Sequence, residues 1–304
     1  MNKPKKYLLI VNPAAGSGKT MKTLPQIESI LRKKNVKYEF HFTEEPMHAT
    51  EIVRDLGSEF DVVVSVGGDG TINEVINGVP DFKLPFGMIP IGTGNDFARS
   101  CCVPYDSIET AIDILLENDV KNIDVGEING RKFVNVVGLG FEGRANEVGK
   151  KLTLIRGPIK YLIAIAYTLI TYKRKSIHLK LDDMELDKDT YLISIGNGWN
   201  VGGGLQLTPK AKLDDGLFDV CFIENITRRK VIANFNRLTN GTITDIDEVS
   251  IYQSKTLQIN SDYMIPLHVD GESLKGDRYK LDIKIHEQMQ PVIGNWKGDT
   301  RFEG

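Results

Sequence analysis

Asp69 stands among three glycines in the run Gly67-Gly68-Asp69-Gly70-Thr71, directly after the valine-rich residues 62–66. Glycine lets a backbone come close to a bound group, and the N–H groups at a helix start carry partial positive charge toward an anion. A carboxylate beside such a cradle can hold a magnesium ion that bridges phosphate oxygens, because that ion takes one or two carboxylates and leaves the rest of its shell to substrate and water. The chemistry indicated is polyphosphate binding; for a lone Gly-Gly pair, a tight strand-to-helix turn without a ligand is the plainer alternative. A second loop of the same make, Gly92-Thr93-Gly94-Asn95, follows the apolar residues 88–91 and leads into Asp96. On its own Asp96 is a helix N-terminal cap. Two such loops with acids at equivalent places point instead to one shared phosphate and metal site.

A third candidate, YLLIVNPAAGSGKT at residues 7–20, ends like a P-loop but carries Pro13 where that pattern has its first glycine. Lys19 and Thr20 are then helix-start residues. The elements that must position these loops alternate up to about residue 120. KYLLIVN, KYEFHFT, DVVVSVGG and FGMIPIG are strand-like, and helical segments follow them around 21–34, 49–60, from 71 and from 96. That alternation predicts a mostly parallel, open α/β sheet whose ligand loops share the carboxyl edge of the strands.

From about residue 120 the pattern changes to strand pairs, with turn signals at Asn129-Gly130 and Asp270-Gly271. The expected organisation is a nucleotide-binding α/β domain at 1–120, an antiparallel β-sandwich-like domain at 121–290, and a tail at 291–304 packing back on the first. The active site is expected in the cleft between the domains.

A length of 304 residues suits two domains of ~100–200 residues each. A net charge of −3 argues against nucleic acid as the main partner. Cys101, Cys102 and Cys221 lack the paired spacing of a zinc site, and the adjacent pair suits no structural disulfide, which fits a reducing cytoplasm. The five histidines show no ligand spacing. The apolar run at 7–11 is shorter than the ~7–15 residues of a signal-peptide core. One segment, IRGPIKYLIAIAYTLITYKRKS, has an apolar part at 159–170, short of the ~20 residues that cross a bilayer. Arg156, Lys160, Lys173, Arg174 and Lys175 flank it, which suits either a core helix or a helix resting on anionic lipid.

Taken in order, NPAAGSGK, GGDGTINEVINGV, PIGTGNDFAR, GNGWNVGGGLQLTPKAKLDDGLFDV and HVDGE resemble the successive motifs of the diacylglycerol kinase catalytic family, which includes sphingosine and ceramide kinases and a bacterial lipid kinase branch. The likeness spans residues 11–272. It implies an ATP site formed by Asn12, Pro13, Ala14, Ala15, Gly16, Thr43, Gly67, Gly68, Asp69, Gly70, Thr71, Ile72, Asn73 and Thr93. It also implies a magnesium ion on Asp215 and on backbone carbonyls of Lys212 and Leu217; from residue types alone that loop is a polar turn before a strand. The resemblance puts the catalytic base at Glu272, with Asp270 beside it, Asp69 as the main magnesium-linked acid, and Asp96 and Asp124 in support. By pattern alone, Asp270-Gly271 is a two-residue hairpin turn and Asp124 a strand-edge carboxylate.

The implied activity is ATP- and Mg2+-dependent transfer of a phosphoryl group to the hydroxyl of a diacylglycerol-like membrane lipid, giving phosphatidic acid, with peripheral and transient membrane contact. An NAD kinase, which shares the Gly-Gly-Asp-Gly element, and a non-catalytic lipid or nucleotide sensor are the alternatives. A homodimer stays open. GLGFEG at 138–143 fits a dinucleotide fingerprint locally, but no acid closes a βαβ unit about 20 residues on. The family's version of that stretch is Gly-Phe-Asp-Ala, so Glu142-Gly143 departs from it where the acceptor pocket is shaped.

Overall fold

The computed structural model describes residues 4–152, 155, 158–274 and 276–298; Arg156 and residues 299–304 of the expected tail lie outside this set. Two compact units divide the chain, one formed up to Val125 and again from Glu287, the other by Gly126–His286.

The first unit runs β1 (Lys6–Val11), α1 (Ala15–Lys33), β2 (Lys37–Phe42), α2 (His48–Leu56), β3 (Val62–Gly67), α3 (Asp69–Gly78), β4 (Phe86–Pro90), α4 (Asp96–Ser100), α5 (Ile108–Glu117) and most of β5 (Val120–Ile128). Every residue of β3 and β4 is buried, as expected of parallel strands covered on both faces by helices. The strand order is β2-β1-β3-β4, all parallel. Val11 pairs with Phe42 on one side and Val66 on the other, and Gly67 pairs with Pro90, so the carboxyl ends are level. The chain leaves β1 toward β2 and crosses back to β3, which makes the β1/β3 boundary the point where strand order reverses. Ligands of open α/β sheets bind at such a point.

Helix α1 departs from a simple helix at its start. Gly16, Ser17 and Gly18 have φ of 58°, 58° and 83°, so the regular helix begins at Lys19, close to the expected position. α3 begins at Asp69, two residues before the expected Thr71, because Gly68 is extended and Ile72 already donates its N–H to the Gly68 carbonyl.

The second unit continues through β6 (Arg131–Phe133), β7 (Val136–Gly140), α6 (Phe141–Lys151), α7 (Pro158–Thr171), β8 (Lys175–Leu181), β9 (Met184–Thr190), β10 (Leu192–Gly196), β11 (Phe218–Ile223), α8 (Arg228–Ala233), α9 (Phe235–Thr239), β12 (Val249–Ser254), β13 (Thr256–Asn260), β14 (Leu267–Val269) and the first half of β15 (Lys280–Ile293). β12-β11-β10-β7-β14 form one antiparallel sheet. β13 pairs antiparallel with β8 and with the start of β15. The two sets share one core: Val137, Leu139, Ile193, Ile195, Phe218, Val220 and Phe222 pack with Ile177, Leu179, Leu257, Ile259, Leu281 and Ile283. The alternate residues of the first sheet face the other way. Val136 and Leu192 join a smaller core with Val201, Leu207, Ile243 and Ile246. This central sheet is therefore covered on both faces, by strands on one and by helices and loops on the other.

The two-residue turns are present as their sequences require. Asn129 and Gly130 have φ of 47° and 83°, and Asp270 and Gly271 have 47° and 79°, the paired positive values of a tight hairpin turn.

Candidate active site

In the first unit the candidate site follows from the ends of β1, β3 and β4. Asn12 donates its N–H to Val66 O at 3.1 Å, and its side-chain amide donates to Thr71 Oγ1 at 3.1 Å, tying the loops after β1 and β3 together across the switch point. Its Oδ1 accepts the Ala14 N–H at 3.0 Å, which turns the Pro13-Ala14 segment back over the strand end. Thr43 lies at the same edge, its N–H bonded to Val11 O at 2.9 Å.

Three glycines allow the loops to approach. A Cβ on Gly68 would lie 2.9 Å from Gly92 Cα, and one on Gly92 would lie 2.6 Å from Gly68 Cα, so the backbones after β3 and β4 touch. Gly16 combines a φ of 58° with a Cβ position 2.4 Å from Ile91 O. The strand ends are thus drawn together main chain to main chain, and helix α3 starts between them with its first-turn N–H groups directed at the edge.

Two acids meet here. A side-chain carbon on Gly94 would lie 3.0 Å from Asp69 Oδ2 and 3.1 Å from Asp96 Oδ2, so both carboxylates converge on one glycine. Asp69 Oδ1 also accepts the Phe97 N–H at 3.2 Å. Asp96 is not the helix cap expected of it. Asn95 occupies that position with a φ of 51° and closes the loop by exchanging hydrogen bonds with Gly92, which leaves Asp96 inside the first helical turn. Thr93 is exposed at the tip of the loop, whereas Thr71, Ile72 and Asn73 are buried in α3. Asp124, fully buried on β5, accepts the Gln288 N–H at 2.6 Å.

In the second unit, helix α6 carries Glu142, Asn146 and Lys150 at intervals of four, which places them on one face. Together they meet β14 and the hairpin turn that follows it. Glu142 Oε1 lies 3.0 Å from His268 Nε2, Asn146 donates to Gly271 O at 2.9 Å, and Lys150 Nζ lies 2.7 Å from Glu272 Oε2. His268 Nδ1 accepts the Gly271 N–H at 3.1 Å, which assigns the ring proton to Nε2 and makes Glu142 its acceptor. Glu272 is thus held half-exposed on a turn braced at three points. Gly143 is required for this contact, because a Cβ there would lie 2.3 Å from Pro266 O.

Asp270 has a different environment. Its carboxylate accepts the N–H groups of Val134, Asn135 and Val136 at 3.0, 3.0 and 2.9 Å, pinning the segment that leads into β7. In the loop before β11, Asp215 Oδ1 accepts the Leu217 N–H at 3.1 Å and Lys212 is exposed nearby. Partial burial pushes the Asp215 carboxyl above its usual range, and the charge of Asp214 adds to this; Asp219 is raised by burial too, with Asp215 contributing. Crowded acids with raised values are what a cation would relieve, so the loop's chemistry fits a magnesium ion. Among the described residues no group of three or more His, Cys, Asp and Glu side chains is set to hold a metal, so such an ion would draw on carbonyls and water as well.

Between the central sheet and helices α6–α9 lies a partly open apolar cavity of about 80 Å³. Phe141, Ile165, Leu205, Leu238 and Ile246 are among its walls, and Glu142 is the acid in its lining. The outer face of α7 is apolar as well: Ile159, Leu162, Ile163, Tyr167 and Ile170 are exposed, Ile170 to 66%. No helix among the described residues is long and apolar enough to cross a membrane. The α6 contacts and this cavity were missed from the sequence; the spacing of four in FEGRANEVGKK was the available signal for the first.

Residues 6–128 match the pattern of the diacylglycerol kinase catalytic domain, and residues 135–283 match that of the YegS C-terminal NAD kinase β-sandwich-like domain. The class is therefore a kinase that joins an α/β unit to an antiparallel one. A diacylglycerol kinase of Staphylococcus saprophyticus is 33% identical over 88% of this chain and 89% of its own length, and one of Staphylococcus aureus is 31% identical over 88% and 86%. A Bacillus anthracis protein, presented as a candidate diacylglycerol kinase, superposes with a TM-score of 0.80 at 26% identity, covering 97% of each chain. The chain belongs to the diacylglycerol kinase family, and it is a lipid kinase.

Proposed function

We propose that this enzyme transfers the γ-phosphoryl group of ATP to the free hydroxyl of a diacylglycerol-like membrane lipid, giving phosphatidic acid or its equivalent. The observation that carries the reading is the convergence of Asp69 and Asp96 on Gly94, beside glycine loops drawn together at the strand-order reversal. Main-chain N–H groups there suit a polyphosphate, and the side chains of Asn12 and Thr71 fix the loops that present them. Magnesium, when bound through Asp69 or the Asp215 loop, supplies charge neutralisation at the phosphate oxygens.

Glu272 is the general base. Its Oε1 accepts the proton of the lipid hydroxyl as the oxygen bonds to the γ-phosphorus and the bond to ADP breaks. Lys150 holds the other oxygen and so orients the carboxylate. Asp270, engaged by three backbone amides, acts by fixing the turn that carries Glu272. The apolar cavity receives acyl chain, and the exposed apolar face of α7 with Lys173, Arg174 and Lys175 rests on the bilayer surface from the cytoplasmic side.

Labelled ATP and Mg2+ with a panel of lipids in mixed micelles, and with NAD as a separate acceptor, tests the reading. Label in lipid extracts supports it; label in NAD alone, or in no acceptor, overturns it. Reversing the three basic charges after α7 weakens sedimentation with anionic vesicles by about tenfold or more. Unchanged sedimentation excludes this helix as the anchor.

A further inference from the structure

Glu142 is a buried acid with half of its hydrogen-bonding capacity unused. The residue is 4% exposed and lines the apolar cavity, yet only Oε1 is engaged, by His268; Oε2 has no partner among the described residues. A carboxylate oxygen removed from water without a donor carries a desolvation cost with nothing to offset it, the more so when charged. Such a group is either served by a trapped water or kept for a ligand.

The sheet beneath shows a second group in the same condition. His268, Gly138, Ser194 and Cys221 lie side by side across β14, β7, β10 and β11. Their neighbours along each strand point into the sandwich core, so this row faces the helices. Gly138 opens the row: a Cβ there would lie 2.3 Å from Glu142 Cδ and 2.5 Å from His268 Nε2. Glu142 therefore lies directly over Gly138, between His268 and Ser194 in projection. Ser194 is fully buried, and its Oγ likewise has no partner among the described residues.

We propose that Glu142 Oε2 forms a polar subsite at the wall of the apolar cavity for a lipid that carries a buried hydrogen-bond donor, a hydroxyl or an amide N–H, in addition to the hydroxyl that is phosphorylated. The inference rests on the lipid-kinase reading above and narrows its acceptor. The ester groups of a simple diacylglycerol offer only acceptors, and an ester oxygen facing a carboxylate oxygen is repulsive. A lipid with a donor in its backbone or near the start of its chain satisfies Oε2. A site built around a buried hydrogen bond rejects analogues that lack the group far more strongly than one built on apolar fit.

The test is direct binding, without ATP, of two short-chain probes that differ by one N–H: dioctanoylglycerol, and its analogue with an amide in place of the 2-ester. Calorimetric titration of the full chain should show the wild type preferring the amide by about 10–100-fold. Glu142→Ala should bring the two affinities together. Glu142→Gln should reverse the order, because its carbonyl keeps the bond from His268 and its NH2 takes the place of Oε2, where it donates to the ester. Melting temperatures identify a variant that has not folded, and the Gln variant, closest in shape, then carries the test. One preference ratio in all three proteins overturns the proposal and leaves a trapped water at Oε2. Equal weakening of both probes by either substitution overturns it also, since Glu142 would then bind the hydroxyl common to the two. Phosphorylation is measured separately: binding that follows this pattern with no lipid phosphorylated overturns the kinase reading and not the subsite.

Discussion

The edge of the first unit and the turn at Glu272 in the second are built from different materials. At the first, the shape is set by main chain: Gly16, Gly68 and Gly92 admit contacts that any side chain would block. At the second, Glu142, Asn146 and Lys150 reach from one helix to a turn more than a hundred residues later, and every bracing contact uses a side chain. A main-chain site is sensitive to the size of residues that seem chemically silent. A side-chain site is sensitive to the loss of specific polar atoms.

Four substitutions can break or sharpen that contrast. Glu272→Gln should have the largest effect, lowering lipid phosphorylation by about 10²–10⁴-fold while the melting temperature and ATP affinity stay near the wild type; near-normal turnover removes Glu272 as the base. Asp270→Asn replaces an acceptor of three backbone N–H groups by one oxygen and an amide that confronts a donor. Urea unfolding should show a loss of about 2–3 kcal/mol, and a loss below about 0.5 kcal/mol would mean the clasp is not structural. Gly68→Ala pushes main chain against main chain at Gly92 and should cost about 1–3 kcal/mol in stability. Nucleotide titration should show weakened ATP binding, and unchanged affinity would show that the close approach serves folding alone. Lys150→Met should be mildest for stability, within about 1 kcal/mol, since its partner is half-exposed, but should lower turnover more than it changes apparent lipid affinity. A pure affinity effect would reassign Lys150 from orienting Glu272 to binding the lipid.

How much was legible in advance differs between the two regions for the same reason. The level carboxyl edge and the loops at Asn12, Gly67–Thr71 and Gly92–Asn95 were readable because strand runs and glycines are local signals, and parallel strands joined by helices put their ends on one side. The two-residue turns at Asn129-Gly130 and Asp270-Gly271 were readable because only residues tolerant of positive φ occupy them. Taken alone Asp96 reads as a cap, and the paired loops point away from that reading; Asn95, one residue earlier, holds the cap position and bonds Gly92 at both ends. Asp270 reads locally as a hairpin-turn residue, and nothing in a sequence tells which distant backbone amides will enclose its carboxylate. The departure at Glu142-Gly143 was visible as a departure only; its meaning needed His268 and Pro266 in place beside it.

By itself, then, the sequence determined the order and type of the elements, the glycine loops at the strand ends of the first unit and the family's ordered motifs, all of which depend on residues within a few positions of one another. The tertiary structure alone decided that Asp69 and Asp96 converge on Gly94, that Asp270 is a clasp, that α6 braces the Glu272 turn, and that Glu142 lines an apolar cavity with one oxygen unpaired among the described residues. Those facts depend on long-range packing: which strand pairs with which, and where a missing Cβ lets one segment press against another, are settled only when the whole chain has folded.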